Sequence, residues 1–245
     1  MAASAQEEPG RPVERLLVAA GALWIVGAVV SFVGGTLHPH RELPNDHPAV
    51  FAEYAASTNW LWVHYLQFAA ALTVVAGFLV LYEAMSRRGV VSVLERSGYA
   101  AAIATALIFA ANMAVDGIAL KRAVDAWAAA SDADKPIRFA AAETVRWLEW
   151  GANSFFQILL GLTLILFGLG IARTGICWRP AGWLGVLAGI GLVIGGLLTG
   201  RDGFAGSPVQ SVAQLLFLVM ALAVIASASK GLLSQRARTR AEQAS

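Results

Sequence analysis

Residues 147–171, WLEWGANSFFQILLGLTLILFGLGI, decide the fold class of this chain. The stretch is 25 residues long and holds one charged side chain, Glu149. The hydrocarbon core of a membrane is about 30 Å thick, and an α-helix that rises about 1.5 Å per residue crosses it in about 20 residues. This stretch therefore predicts a transmembrane helix.

Five further apolar stretches are long enough to cross a membrane in the same way. Together the six spans contain 132 of the 245 residues but only two of the 34 charged side chains, Asp116 and Glu149. The chain as a whole is 58% hydrophobic and 14% charged, against about 25% charged in a soluble domain. We therefore predict an all-α integral membrane protein, a six-helix bundle. The other spans are 16–36, 60–82, 98–118, 180–199 and 208–229.

The remaining composition argues against several other classes. One cysteine and a net charge of +2 supply neither a disulfide framework nor the basic surface of a nucleic-acid-binding protein. Lys and Arg near span ends favour the cytoplasmic side, and an internal N-terminus puts eleven of the 18 basic residues there. This predicts cytoplasmic tails at 1–15 and 230–245 around one membrane domain at 16–229. We expect a bacterial cytoplasmic membrane, with the His-rich loop after the first span on the extracytoplasmic side.

Both long connections on the predicted outer side should be folded. In the first, Asp46 can cap a short helix through 49–56, and Asn59 can cap the second span. In the second, Ala-rich sequence extends the third span to about Ala130 before 131–136, SDADKP, indicates a stop and a new helix. The third and fourth spans should then form a long antiparallel hairpin that projects beyond the bilayer.

Glycines in the fifth span form the pairs 185/189, 191/195 and 196/200. Small residues four apart let helix backbones approach closely in lipid. The pairs predict tight helix packing, with a glycine-lined ligand path as the alternative.

Polar side chains occur at one depth in four of the six spans. His64 lies about 6 Å and Asp116 about 7 Å along the helix axis from the outer ends of their spans. Polar groups in hydrocarbon are costly, so this shared depth predicts a pocket that opens to the outside. The full set is His64 and Gln67 in the second span, Asn112 and Asp116 in the third, Glu149, Asn153 and Gln157 in the fourth, and Gln210 and Gln214 in the sixth.

The first hypothesis is that this pocket binds an amphiphilic small molecule, or processes it by acid–base chemistry. His64, Asp116 and Glu149 are the candidate catalytic residues, since low dielectric shifts their proton affinities. In a metal-assisted variant the same three, with His47 from the loop, hold zinc, iron or manganese. Haem is disfavoured because only His64 lies within a span. Candidate substrate-binding residues are Gln67, Asn112, Arg146, Trp150, Asn153, Gln210 and Gln214.

Two other functions stay open at this point. One is a proton- or ion-coupled transporter that uses Asp116 and Glu149 as carriers, and the other is a non-catalytic membrane subunit or sensor. The polar groups also have structural explanations: the carboxylates can pair with Lys121, Arg122 or Arg146, and the amides can form interhelical hydrogen bonds of about 0.6–2 kcal/mol each. Expected partners are membrane lipids and a small amphiphile, with a homo-oligomer left open.

Overall fold

The computed structural model describes residues 11–244 and contains no strand among them. Six helical segments are long and apolar enough to cross a membrane, which confirms the predicted six-helix bundle. The helices are α1 (Arg11–Leu37), α2 (His47–Ala56), α3 (Trp60–Arg87), α4 (Val93–Met113), α5 (Lys121–Ala128), α6 (Lys135–Thr174), α7 (Arg179–Asp202) and α8 (Pro208–Ala244), and a π-helical turn (Ala114–Leu120) joins α4 to α5.

The outer faces of the bundle are apolar. Large side chains such as Phe32 and Leu197 are 73% and 60% exposed, and stable exposure of this kind requires a lipid environment. The predicted tail at 1–15 lies outside the described residues except for its last five positions, and α8 continues through most of the predicted tail at 230–245. The cytoplasmic placement of both tails and the projection of the hairpin stay predictions.

Close packing of α6 against α7 depends on small residues that face each other every seven positions. A methyl group added to Gly161 would lie 2.6 Å from the carbonyl oxygen of Gly189, and one added to Gly196 would lie 2.7 Å from that of Ser154. Gly168 and Gly182 meet in the same way. Backbones this close leave no room for a side chain, so the glycines of the fifth span do pack tightly.

The spacing of four in the predicted glycine pairs describes this packing only in part. The 196/200 pair faces α6 and the 191/195 pair faces α8. The 185/189 pair divides between the two neighbours, because Gly185 lies against Met220 of α8 whereas Gly189 lies against α6. The helix therefore uses two glycine faces, one for each neighbouring helix.

Apolar side chains fill the bundle in two separate clusters. The larger contains Trp24, Phe78, Leu81 and Phe167, each at most 1% exposed. The smaller packs α2 against α5 and the first half of α6 and reaches the start of α3 at Trp60; its buried members are Val50, Phe51, Tyr54, Trp60, Leu120, Val124 and Ala142. We call the end of the bundle that carries this smaller cluster the polar end, for the residues described below.

One of the two helix caps predicted at this end of the bundle is confirmed and the other is not. Asp46 accepts a hydrogen bond from the Ala49 N–H at 3.4 Å, so the predicted cap of α2 is confirmed. Asn59 occupies the N-cap position of α3 but makes no side-chain cap, because its Oδ1, the atom that would cap, accepts from the Ser57 hydroxyl at 3.0 Å. That part of the prediction was wrong. The second connection runs between Ala128 and Lys135, close to its predicted limits.

Candidate functional site

His64 and Asp116 form a buried pair between α3 and the π-helical turn. His64 Nε2 lies 3.0 Å from Asp116 Oδ2, and the residues are 1% and 7% exposed. His64 Nδ1 lies 2.7 Å from the Trp60 carbonyl oxygen, which can only accept, so Nδ1 carries a hydrogen. Nε2 and the carboxylate must therefore share a proton or a cation between them.

The π-helical turn brings Asp116 close to α3. Gly117 makes this approach possible, because a methyl group there would lie 2.8 Å from His64 Cβ. The Trp60 indole N–H donates to the Gly117 carbonyl at 3.1 Å and ties the two elements together. Isolated π-helical turns occur frequently at functional sites, and this one carries the buried carboxylate.

His38, directly after α1, is the third member of this group. Its ring centroid lies 5.2 Å from that of His64, and its Nδ1 donates to the Pro39 carbonyl at 2.7 Å. His38, His64 and Asp116 each offer one ligand atom, and these atoms lie within 4.8 Å of one another. Burial lowers the pKa of His38, although the nearby Asp116 opposes this effect. The neutral imidazole is favoured.

The residues selected from sequence did not include His38. The available signal was its position immediately after the first span, at the same end of the bundle as His64. The loop 38–46 that follows it is fixed at both ends. Glu53 accepts from two backbone N–H groups of this loop at 3.0 and 3.3 Å. Asn45 donates to the Asp202 carbonyl at 2.8 Å and accepts from a backbone N–H at 3.1 Å.

Glu149 pairs with Arg146 rather than joining His64 and Asp116 as a ligand. Arg146 Nη1 lies 2.7 Å from Glu149 Oε2, and the two residues are 3% and 4% exposed. The guanidinium also donates to a loop carbonyl at 3.1 Å and stacks over the rings of Tyr54 and Phe204, 5.5 and 4.6 Å from their centroids. The Arg146 pairing considered for Glu149 from sequence is thus observed, and Glu149 neutralises Arg146.

Tyr54 and Asp116 lie within electrostatic range of this ion pair. Burial raises the pKa of Tyr54, with Arg146 opposing the effect. Tyr54 therefore stays a neutral phenol.

His47 lies outside the candidate metal group as well. Its Nδ1 is 2.8 Å from Glu143 Oε1, and its ring stacks on Phe51 and meets Trp150 edge-on. Among the described residues, the group of three possible ligands is His38, His64 and Asp116. Glu149 and His47 of the predicted set thus lie outside this group, and His38 lies within it.

Several predicted substrate-binding amides join helices to one another. Gln157 donates to Asn153 at 2.6 Å and to Thr199 at 3.1 Å, and Gln210 donates to Gln157 at 2.6 Å. This network links α6, α7 and α8, as the structural explanation of these residues predicts. These hydrogen bonds give Asn153 and Gln210 a structural role in the network that joins the helices.

Two further predicted residues form no hydrogen bond with His38, His64 or Asp116 in the part of the chain that the structure describes. Gln67 packs against Gly34 of α1, where an added methyl group would lie 3.0 Å from Gln67 Cγ. Gln214 is exposed on the surface of α8. We leave both out of the candidate site for this reason.

Unpartnered polar atoms concentrate at the polar end. Among the described residues, eight buried side-chain nitrogen or oxygen atoms have no hydrogen-bond partner, although buried polar groups are normally paired. Six of the eight lie at this end: His47 Nε2, both amide atoms of Asn112, Asp116 Oδ1, Arg146 Nε and Trp150 Nε1. We call His38, His64, Asn112, Asp116, Arg146 and Glu149 the polar cluster.

Fold and site define a multi-pass helical membrane protein with a buried polar cluster at one end of its bundle. The family described as Domain of unknown function (DUF4386) matches residues 19–229, and the chain belongs to this family. No curated protein and no solved structure matches the chain. Two apolar grooves on the bundle surface, one of them between α7 and α8, include no residue of the polar cluster.

Proposed function

We propose that this protein binds a small amphiphilic molecule at the polar cluster. The observation that carries the proposal is the concentration of unpartnered buried polar atoms there. Each such atom is destabilising by about 1–3 kcal/mol when nothing bonds to it. Asn112 is the clearest case, since it is 1% exposed and neither amide atom has a partner.

The charges of the cluster favour a neutral headgroup. Arg146 and Glu149 cancel each other, and His64 and Asp116 form a second pair. The atoms still without partners include the acceptor Asp116 Oδ1 and the donors Arg146 Nε and Trp150 Nε1. A hydroxyl or amide headgroup both donates and accepts, so it can satisfy atoms of both kinds.

The depth of the cluster favours an amphiphile over a fully soluble ligand. Aromatic side chains are exposed near His64 on α3 and near Glu149 on α6: Trp62 is 74%, Tyr65 49% and Trp147 53% exposed. Trp and Tyr on a membrane protein favour the headgroup level of the bilayer. A lipid-like molecule places its own polar group at that level.

Acid–base chemistry on the bound molecule is the capacity that His64 and Asp116 add. A shared proton held between Nε2 and the carboxylate at 3.0 Å can pass to or from a headgroup that reaches the pair. The transport alternative gains no comparable support, because Trp24, Phe78, Leu81 and Phe167 fill the bundle beyond the cluster. A purely structural role accounts for the three amides of the Gln157 network, which are Asn153, Gln157 and Gln210. It does not account for Asn112, whose amide atoms have no partner.

The test is retention of defined amphiphiles by purified protein. Delipidated protein in maltoside detergent is incubated with a monoacylglycerol, an N-acylethanolamine, a fatty acid and an alkylamine, and complexes are counted by native mass spectrometry. We expect one-to-one retention of a neutral amphiphile, loss of that retention in Asn112→Leu, and no loss in Gln214→Leu, which changes an exposed amide. Equal retention by wild type and Asn112→Leu, or no retention of either neutral amphiphile, would contradict the proposal.

A further inference from the structure

We infer that His38, His64 and Asp116 form a binding site for a divalent first-row transition-metal ion such as zinc or iron(II). This inference goes beyond the proposed function, because the metal could bind whether or not an amphiphile does. Three side chains from separate parts of the chain converge here: the residue after α1, the second turn of α3 and the π-helical turn. Their ligand atoms lie within 4.8 Å of one another.

The two imidazoles are held in the tautomer that a metal needs. His64 Nδ1 donates to the Trp60 carbonyl and His38 Nδ1 donates to the Pro39 carbonyl, each at 2.7 Å. Histidines that bind metals commonly donate their second ring N–H in this way, which fixes the ring and leaves the other nitrogen as the ligand. The Nε2 atoms are therefore the ones left to bind a cation, which at His64 would take the place of a proton shared with Asp116.

The spacing of the ligand atoms is close to that of a transition-metal centre. Zinc binds imidazole nitrogen at about 2.0–2.1 Å and carboxylate oxygen at about 2.0–2.2 Å, so tetrahedral ligands lie roughly 3.3–3.5 Å apart. His64 Nε2 and Asp116 Oδ2 are 3.0 Å apart. Because the three ligand atoms lie within 4.8 Å of one another, bringing His38 to the same spacing takes a shift of at most about 1.3–1.5 Å, and His38 is only partly buried.

Polar atoms without a hydrogen-bond partner are available for the remaining coordination positions of the metal. Asp116 Oδ1 has no partner, and neither amide atom of Asn112, one turn earlier on the same helix, has one. Asp116 Oδ1 can extend the coordination, and Asn112 can accept from a water molecule bound to the metal. A proton shared by His64 and Asp116 would account for that pair alone and would leave the convergence of His38 without a role.

The donor set selects the class of metal. Two imidazole nitrogens and one carboxylate suit zinc, and the same set with open positions suits iron(II). Magnesium and calcium favour sites made of oxygen ligands, so they should bind weakly here. Arg146 and Glu149 cancel each other, so the ion meets the single negative charge of Asp116.

The experiment measures metal uptake by the full chain in detergent, before any amphiphile is added. Protein stripped with a chelator is titrated with zinc or, without oxygen, iron(II), in competition with a chromophoric chelator, and metal content after gel filtration is read by elemental analysis. We expect one metal ion per chain. His38→Ala, His64→Ala and Asp116→Asn should each bind at least about tenfold more weakly, and magnesium should not compete.

His40→Asn is the matched control, because His40 is exposed in the same loop and lies outside the group of three, and an asparagine amide can keep the hydrogen bond that His40 Nδ1 makes to the His38 carbonyl oxygen at 2.7 Å. It should bind zinc as wild type does. Should His64→Ala fail to fold, His38→Gln still tests the inference, since it removes a ligand at a partly buried position. No uptake by wild type, or equal affinity in His38→Gln and wild type, overturns the inference. Neither result would bear on retention of the neutral amphiphiles, which is measured without metal.

Discussion

Replacing Gly117 by alanine tests the contact between α3 and the π-helical turn. The added methyl carbon would lie 2.8 Å from His64 Cβ and 3.1 Å from its Cγ. Carbon atoms pack at about 3.5–4.0 Å, so the two elements must separate by roughly 0.7–1.2 Å. Overpacking of this kind is destabilising by about 1–3 kcal/mol, and the better helix propensity of alanine returns up to about 1 kcal/mol.

We therefore expect Gly117→Ala to lower the free energy of unfolding by about 1–2 kcal/mol, which corresponds to a fall in Tm of about 2–8 °C for a chain of this size. The same separation moves His64 away from Asp116, which lies next to Gly117, so zinc affinity should fall at least about tenfold. The assays are thermal unfolding in detergent and zinc titration. Gly151→Ala on α6 is the control, because a methyl group there meets nothing within 4 Å.

The control should leave zinc affinity unchanged and hold or raise Tm. Gly117→Ala protein that keeps both the stability and the zinc affinity of wild type would contradict this prediction. That outcome would mean that His64 and the π-helical turn are not in the contact described here.

Three further predictions concern other parts of the bundle. Gly189→Ala, whose methyl group would lie 2.5 Å from the Gly161 carbonyl oxygen, should lower stability by at least about 1–3 kcal/mol; unfolding in detergent that matches Gly151→Ala would contradict this. Burial raises the pKa of Cys177 to about 12, so only about one thiol in ten thousand is ionised at pH 8. Maleimide should therefore label Cys177 slowly until SDS unfolds the protein. Fast labelling of the folded protein would contradict the burial of this thiol. Burial lowers the pKa of His38, so His38 binds a proton more readily in the unfolded chain than in the folded one. The metal-free protein should therefore lose stability as pH falls below about 6.5. A Tm-against-pH curve of His38→Gln identical to that of wild type would contradict this pH dependence.

Hydropathy predicted the membrane fold because the signal is local to each span. A helix of about 20 apolar residues needs no knowledge of its neighbours, and the six predicted spans fall within the observed helical segments. The cap at Asp46 was predictable for the same reason, since its bond reaches only to Ala49. Asn59 departs from its cap signal because the Ser57 hydroxyl, two positions earlier, donates to the amide oxygen that would cap the helix.

The depth of the site residues in the membrane was predictable, but the direction in which each side chain points was not. His64 and Asp116 were paired from their shared level in the membrane, and this pair is observed at 3.0 Å. Glu149 has the same level, yet Arg146 three residues before it on the same helix is a nearer partner, and the i, i+3 spacing already allowed that pairing. Depth alone does not say which way a side chain points around its helix.

His38 could not be placed from local sequence. Its position depends on the loop 38–46, which is fixed by Glu53 and, through Asn45, by Asp202 and Phe204 some 157 and 159 positions later in the chain. The π-helical turn is a second feature of this kind, because the segment around Asp116 carries no pattern that distinguishes it from an ordinary helix. Both features arise from tertiary contacts.

The most direct test of the central claim, that His38, His64 and Asp116 meet in one metal-binding group, is X-ray absorption at the zinc edge of protein loaded with one equivalent of zinc. We expect nitrogen and oxygen ligands at about 2.0–2.2 Å, two of them imidazoles in wild type and one in His38→Ala. A sulfur ligand at about 2.3 Å, which would implicate Cys177 at the opposite end of the bundle, would contradict it. So would an imidazole count that His38→Ala leaves unchanged.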